Sequence, residues 1–219
     1  MTHDNVKIKF LIEYDKANVT SSYPSLTDYE IATILDKAYL ALIARKFTGN
    51  NTRRIPFEYD IKSIEDLRPL IKTAALAYSN TQPISPNEKV YKLQPDHLYF
   101  IEGHVKYTNE YKQVAEIVSH KIAEKFRSTD SNLPWVKRPV VFLEGDEAHI
   151  LVDEYKRDDV ESFTTTYVGE PASFIGFSGN FELSDTMAEE LISLAITFAL
   201  ENVESSRLQT KISTLPLEG

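Results

Sequence analysis

Apolar positions at the C-terminal end of the chain fall on a helical period. Met187, Leu191, Leu194, Ala195 and Phe198 share one face, and Ile192, Ile196, Ala199 and Val203 widen it. The pattern predicts a helix over 184–207 that is covered from more than one direction. Ser184, Asp185 and Thr186 are its cap candidates, with Glu189 at capping-box spacing from Thr186 and acidic side chains near the positive end of the dipole. A second helix is predicted over 28–47. Thr27 and Glu30 spell a capping box, Leu26 and Ile31 a hydrophobic staple, and Ile31, Ile34, Leu35, Ala38 and Leu42 follow one face toward Gly49, a natural stop. The run over 6–14 is ambiguous: it alternates like a strand at first, yet Val6, Phe10 and Tyr14 form an i, i+4 row.

Between these ends the period shortens. A turn of helix is expected over 61–66, a strand over 69–74, and a loop over 79–87 that carries Pro83 and Pro86. Strands over 90–93 and 98–107 flank Gln94-Pro95-Asp96, a turn sequence. Tyr111, Val114, Ile117, Val118, Ile122 and Phe126 then predict a long amphipathic helix over 110–127. Two apolar runs around Gly145-Asp146 make a hairpin, and 163–167 and 173–177 add short strands. The fold class is therefore α+β, read as a single domain over 1–219. It has a helical part over 5–48, a mostly antiparallel β-rich middle over 68–177, and the C-terminal helix.

Composition narrows the function classes. A chain of 219 residues is long enough to bury a core without staples. It has no cysteine, which excludes disulfides, thiolate metal sites and cysteine nucleophiles. A formal net charge of −9 disfavours non-specific attraction to nucleic acid or anionic lipid. No apolar run approaches the roughly 20 residues that span a bilayer, and the opening residues lack a basic segment followed by an apolar one, so neither membrane insertion nor secretion is expected.

Chemistry-bearing motifs are few. There is no phosphate loop, dinucleotide fingerprint or zincin helix. Gly176-Phe177-Ser178-Gly179 departs from a nucleophile elbow because its second glycine comes one place too early, and it reads as a turn. His97, Glu102 and His104 invite a metal reading, but no further ligand has a defined spacing. The acidic stretch with Asp146, Glu147, Asp153, Glu154, Asp158 and Asp159 reads first as solvated turns and second as a glycan-binding or hydrolase surface or a Ca²⁺ site, for neither of which the spacing shows the opposed carboxyls or the wrapping loop required. No catalytic, cofactor or metal residue is assigned. Trp135, with Lys137 and Arg138, would stack on a partner's ring or a base if exposed and would serve packing if buried.

Several short motifs resemble small virion proteins of tailed phages, the crAss-like phages in particular. They are Leu26-Thr27-Asp28-Tyr29-Glu30, Leu35-Asp36-Lys37-Ala38, Leu93-Gln94-Pro95-Asp96-His97-Leu98, the segment from Tyr167 to Pro171, and Phe181-Glu182-Leu183-Ser184-Asp185 with the helix ending at Glu204-Ser205-Ser206-Arg207. The chain departs from that pattern at Gly169-Glu170, where basic residues are usual, and at Gln94, which splits a Leu-Pro pair. The resemblance implies a non-enzymatic virion protein of the portal and neck region, a dodecameric ring or adaptor. It would contact the portal and other neck or tail proteins while genomic DNA passes through its lumen without specific binding. It also implies that the stretch over 6–14 is helical. The interface candidates are then Trp135, Lys137, Arg138, Tyr167 and Pro171. A capsid auxiliary or packaged cargo protein is the alternative within the same class.

Overall fold

Thr27 begins the second helix as its sequence spelling requires. Its hydroxyl accepts a hydrogen bond from the Glu30 amide, and the Glu30 carboxylate accepts one from the Thr27 amide at 2.7 Å, closing the capping box. The computed structural model describes residues 1–17, 26–48, 57, 60–108, 112–128 and 134–202. They gather into two compact units, one formed by 1–70 with 171–219 and the other by 71–170. Gly49, the arginine pair at 53–54, Val203 and the motif at 204–207 lie outside the described residues.

The first unit is helical. Its elements are α1 (His3–Ala17), α2 (Asp28–Phe47), α3 (Ile61–Leu67) and α5 (Asp185–Asn202). The ambiguous opening run is helix, and Val6, Phe10 and Tyr14 are its buried row. Both α1 and α2 pack against α5, whose Met187, Leu191, Ile192, Ala195, Ile196 and Ala199 are buried, as the wide apolar face predicts. Ser184 is the residue that caps α5: its hydroxyl accepts from the Met187 amide at 3.3 Å. Glu189 takes no part in that cap and pairs with Lys9 of α1. Lys46 of α2 joins Asp66 of α3 at 3.0 Å and Glu190 of α5 at 3.2 Å.

The strand expected over 173–177 does not form. A 3-10 turn, Ile175–Phe177, stands there, with Gly176 and Phe177 at positive φ. Among the described residues of this unit no strand offers a ladder. Asp36 of α2 instead accepts from the Ser173 hydroxyl at 2.6 Å and the Phe174 amide at 2.7 Å. Phe174 is thereby buried against the rings of His3, Tyr39 and Phe181.

The described residues of the second unit form an eight-stranded sheet and one α-helix. Its elements are β1 (Ile71–Ala75), β2 (Ala77–Tyr78), β3 (Glu88–Lys92), β4 (His97–Tyr107), β5 (Lys112–Ile117), α4 (His120–Ser128), β6 (Val140–Glu144), β7 (Glu147–Leu151) and β8 (Val160–Gly169). The strand order is β1-β8-β4-β5-β6-β7-β3-β2, antiparallel throughout except for the short parallel pair of β5 with β6. Its two end strands are separated in sequence only by Leu76, whose amide donates to the Phe163 carbonyl at 2.8 Å. One bent extended segment thus pairs with β8 through its first half and with β3 through its second, and the sheet closes into a barrel. Leu76, Tyr91, Val105, Ala115, Val141, Ile150 and Phe163 fill the interior, with at least one residue from each of β3 to β8. Outside the wall, Ala123 and Phe126 of α4 cover Val140, Phe142 and Leu151.

The long helix expected over 110–127 is replaced by β5 followed by α4. Ala115 pairs with Gly103 of β4 and is buried, whereas Val114 and Ile117, which helical spacing would place on the buried face, are exposed. Pairing with β4 decides the matter, because ladder bonds and burial of Ala115 outweigh a local period that fits both states. Helix begins only after Ser119, whose carbonyl accepts from the amides of Ile122 and Ala123.

Candidate functional site

Trp135 opens a tight turn leading into β6. The Arg138 amide donates to the Trp135 carbonyl at 2.7 Å, and the buried Pro134 and Pro139 flank the turn while Val136 packs on the interior cluster. The turn is anchored from within, so its outer side chains are presented to solvent. The Trp135 ring is 62% exposed, with the Lys137 ammonium 5.5 Å from its centroid and Arg138 exposed beside it. Trp135 is therefore a surface residue, and three of the five interface candidates share one corner.

Tyr167 is not part of it. It is buried near the far end of β8, its hydroxyl donating to Asp96 at 3.0 Å and its ring stacked on His97 at 5.2 Å. Asp96 also accepts from Lys72 at 2.8 Å, and this hydrogen bond, with that from Tyr167, holds its carboxyl below the ordinary range. Burial and the neighbouring carboxylate push the Tyr167 phenol up to about 12. The residue acts as a clasp between β8 and the turn before β4. Pro171 belongs to the helical unit, partly buried.

Most of the histidines and carboxylates weighed for chemistry are engaged locally, Glu154 and Asp158 excepted. His104 Nε2 lies 3.2 Å from Glu102, whereas His97, pulled to a lower pKa by burial, faces Tyr167. Among the described residues no group of three or more His, Asp or Glu side chains is arranged to hold a metal ion. In the acidic stretch, Asp153 caps a 3-10 turn by accepting from the Tyr155 amide at 3.0 Å, and Asp159 pairs with Lys156 at 2.8 Å. Glu147 accepts from the hydroxyls of Ser79 and Thr81, which hold its carboxyl below the usual value.

The most concentrated polar arrangement of the barrel lies elsewhere, under α4. Glu88 of β3 is 0% exposed and accepts from Arg127 of α4, with His149 Nδ1 2.7 Å from the same oxygen. Its second oxygen accepts from the Ile84 and Ser85 amides at 2.9 and 3.2 Å. The Phe142 ring receives the Arg127 guanidinium at 4.6 Å and the stacked His149 imidazole at 4.8 Å. Burial raises the Glu88 pKa, but the hydrogen bonds from Arg127 and His149 outweigh it and hold the carboxyl below its ordinary value. A carboxylate on His149 Nδ1 would orient the ring for proton transfer, yet Nε2 faces Glu144 and Glu147 at 3.9 and 3.8 Å rather than a hydroxyl. What the cluster does is fasten α4 to the barrel wall. Comparison with known proteins adds no relative: no family model matches the chain, and no curated protein matches it.

Sequence reasoning missed this cluster and the exposure of Tyr155. Glu88 and Arg127 stand 39 residues apart, and in the strand Glu-Lys-Val-Tyr-Lys nothing sets Glu88 off from its charged neighbours as the buried one.

Proposed function

We propose that this chain is a structural protein of a tailed-phage virion, a ring or adaptor of the portal and neck that works through contacts between subunits. The observation that carries the reading is the Trp135 corner, an exposed ring under an ammonium on an internally braced turn. Tryptophan, tyrosine and arginine dominate the energetics of protein contacts, and a chain that leaves its single Trp at the surface has an anchor ready for a partner. Exposed Tyr155 and Ile84 on the barrel, and Tyr29 and Ile61 on the helical unit, extend the same character. The sequence motifs lend the phage assignment: the Tyr29 motif starts α2, the Asp96 motif leads into β4, and the Ser184 motif caps α5. Engagement of Glu147, Asp153 and Asp159 in local bonds speaks against a hydrolase built on the acidic stretch. With a net charge of −9, a ring of such chains would let genomic DNA slide through its lumen rather than stick.

The test is the mass of the purified protein by light scattering, alone and then mixed with the portal protein of the same genome, with negative-stain imaging of any large species. A closed ring with a central hole in either sample is the expected result. A monomer in both would overturn the reading.

A further inference from the structure

The acidic chain has two basic stretches, 37–57 and, within the barrel unit, 112–138. Residues 112–138 hold six Lys or Arg and three Asp or Glu, a net charge of +3, which leaves −12 for the remainder. Among the described residues, Lys112, Lys121, Lys125, Lys137 and Arg138 are exposed and none is in an ion pair. Trp135 stands exposed on one turn with Lys137 and Arg138, and Val114 and Ile122 are exposed elsewhere in the same stretch of sequence. Apolar and aromatic side chains rimmed by unpaired cations have the anatomy of a docking surface for an acidic protein.

The same end of the barrel carries a matching acidic corner. Val140 and Leu151 form the last pair of the β6–β7 ladder, so the Trp135 turn entering β6 and the turn after β7 lie beyond one end of that hairpin. There Tyr155 is 92% exposed in the turn 153–159, whose Glu154 and Asp158 are exposed and in no ion pair among the described residues, while Lys156 is paired with Asp159 and Arg157 donates to the Glu88 carbonyl, so the turn carries a net charge of −2. One end of the barrel thus presents two aromatic anchors, one beside two cations and the other on a turn of net negative charge whose own cations are engaged locally.

We infer that this end is a self-complementary surface through which a second copy of the chain docks, the Trp135, Lys137 and Arg138 corner of one copy seating on the Glu154, Tyr155 and Asp158 corner of the next. The inference rests on the ring reading above and names the surface by which copies meet. Contact between unlike corners is the heterologous kind that repeats around a ring, and it can also be made twice about a two-fold axis. Exposed charges at such a contact make its strength depend on ionic strength.

The experiment is light scattering of the full-length protein at about 50 mM and about 500 mM salt. Two charge-reversed variants are compared with it, Lys137→Glu with Arg138→Glu, and Glu154→Lys with Asp158→Lys. Wild type should associate at the lower salt and at least about tenfold more weakly at the higher. Each variant alone should be monomeric, and mixing the two should restore the complex, a result that misfolded variants would not give. Association indifferent to both reversals, or portal-bound rings formed equally well by both variants, would overturn the surface while leaving the ring reading intact. Salt-sensitive association restored by mixing, with no binding to portal and no closed ring, would uphold the surface and sink the ring. A DNA duplex bound by wild type, released by Lys137→Glu with Arg138→Glu, and no self-association would overturn the inference in favour of a nucleic-acid surface.

Discussion

Arg127, near the end of α4, and Glu88, at the head of β3, form a buried ion pair that joins helix to barrel wall. Only 10% of the Arg127 side chain and none of the Glu88 side chain is exposed. Removing one partner strands the other charge away from water. Arg127→Ala or Glu88→Ala should each lower unfolding stability by about 3–5 kcal/mol, whereas Glu88→Leu with Arg127→Met should lose less than the sum of the two. Urea denaturation followed by circular dichroism measures this. An unchanged midpoint for Arg127→Ala would show that the pair does not stabilise the barrel.

The same pair sets a pH dependence. The folded pKa of Glu88 lies below its ordinary 4.5, so between the two values the unfolded chain binds a proton that the folded chain does not. Stability from Glu88 is therefore complete above the unfolded value and is lost as pH falls through the folded one. Asp96, lowered by Lys72 and Tyr167, acts in the same direction but is partly exposed and contributes less. Burial also lowers the pKa of His3 and His97, so the urea midpoint should begin to fall as pH drops below about 6.5, where the unfolded chain protonates these rings first, and should fall further below about pH 5, the second step being the one that Glu88→Gln flattens. A midpoint that rises on acidification would contradict the assignment.

Local signals were legible in the sequence, and long-range ones were not. The capping box at Thr27 and Glu30, the wide face of α5 and the turn at Gly145-Asp146 are each written within a few residues, and each forms. The helix expected over 110–127 fails because Ala115 gains more from its ladder with Gly103 than neighbouring residues gain from a helical row. The strand expected over 173–177 fails because its partner, the carboxylate of Asp36, lies 137 residues from Ser173. Site chemistry divides in the same way. Trp135, Lys137 and Arg138 share a corner because they share a turn, whereas the Glu88 cluster depends on closure of the barrel.

Gly103 marks where β4 runs closest to the barrel interior. A Cβ added there would lie 2.5 Å from Phe163 Cζ and 3.1 Å from Phe100 Cζ. The Phe163 ring is fully buried, so it has no open space to enter. Gly103→Ala should destabilise by about 1–3 kcal/mol through overpacking, and Gly103→Val by more. Trimming the obstacle in Gly103→Ala with Phe163→Leu should restore part of the loss. Thermal melts of wild type, Gly103→Ala, Phe163→Leu and the double variant decide it, and additive losses would show that the two positions do not touch.

Asp36 holds the segment before α5 by two hydrogen bonds from one carboxylate, and the burial of Phe174 depends on them. Bonds to a charged acceptor contribute about 1.5–3 kcal/mol, so Asp36→Ala should lose about that much stability. Asp36→Asn keeps an oxygen for the Phe174 amide, and the Ser173 hydroxyl can turn to accept from the new amide group, so this variant should lose less. A second readout separates local release from general weakening. In Asp36→Ala the amides of Phe174 and Phe177 should exchange with solvent faster, while those of Leu191 and Ile192 in the buried face of α5 keep their protection relative to the new global stability. Uniform acceleration across both groups would mean that the 3-10 turn and α5 open as one unit, and that Asp36 acts on the whole helical unit rather than on the turn it touches.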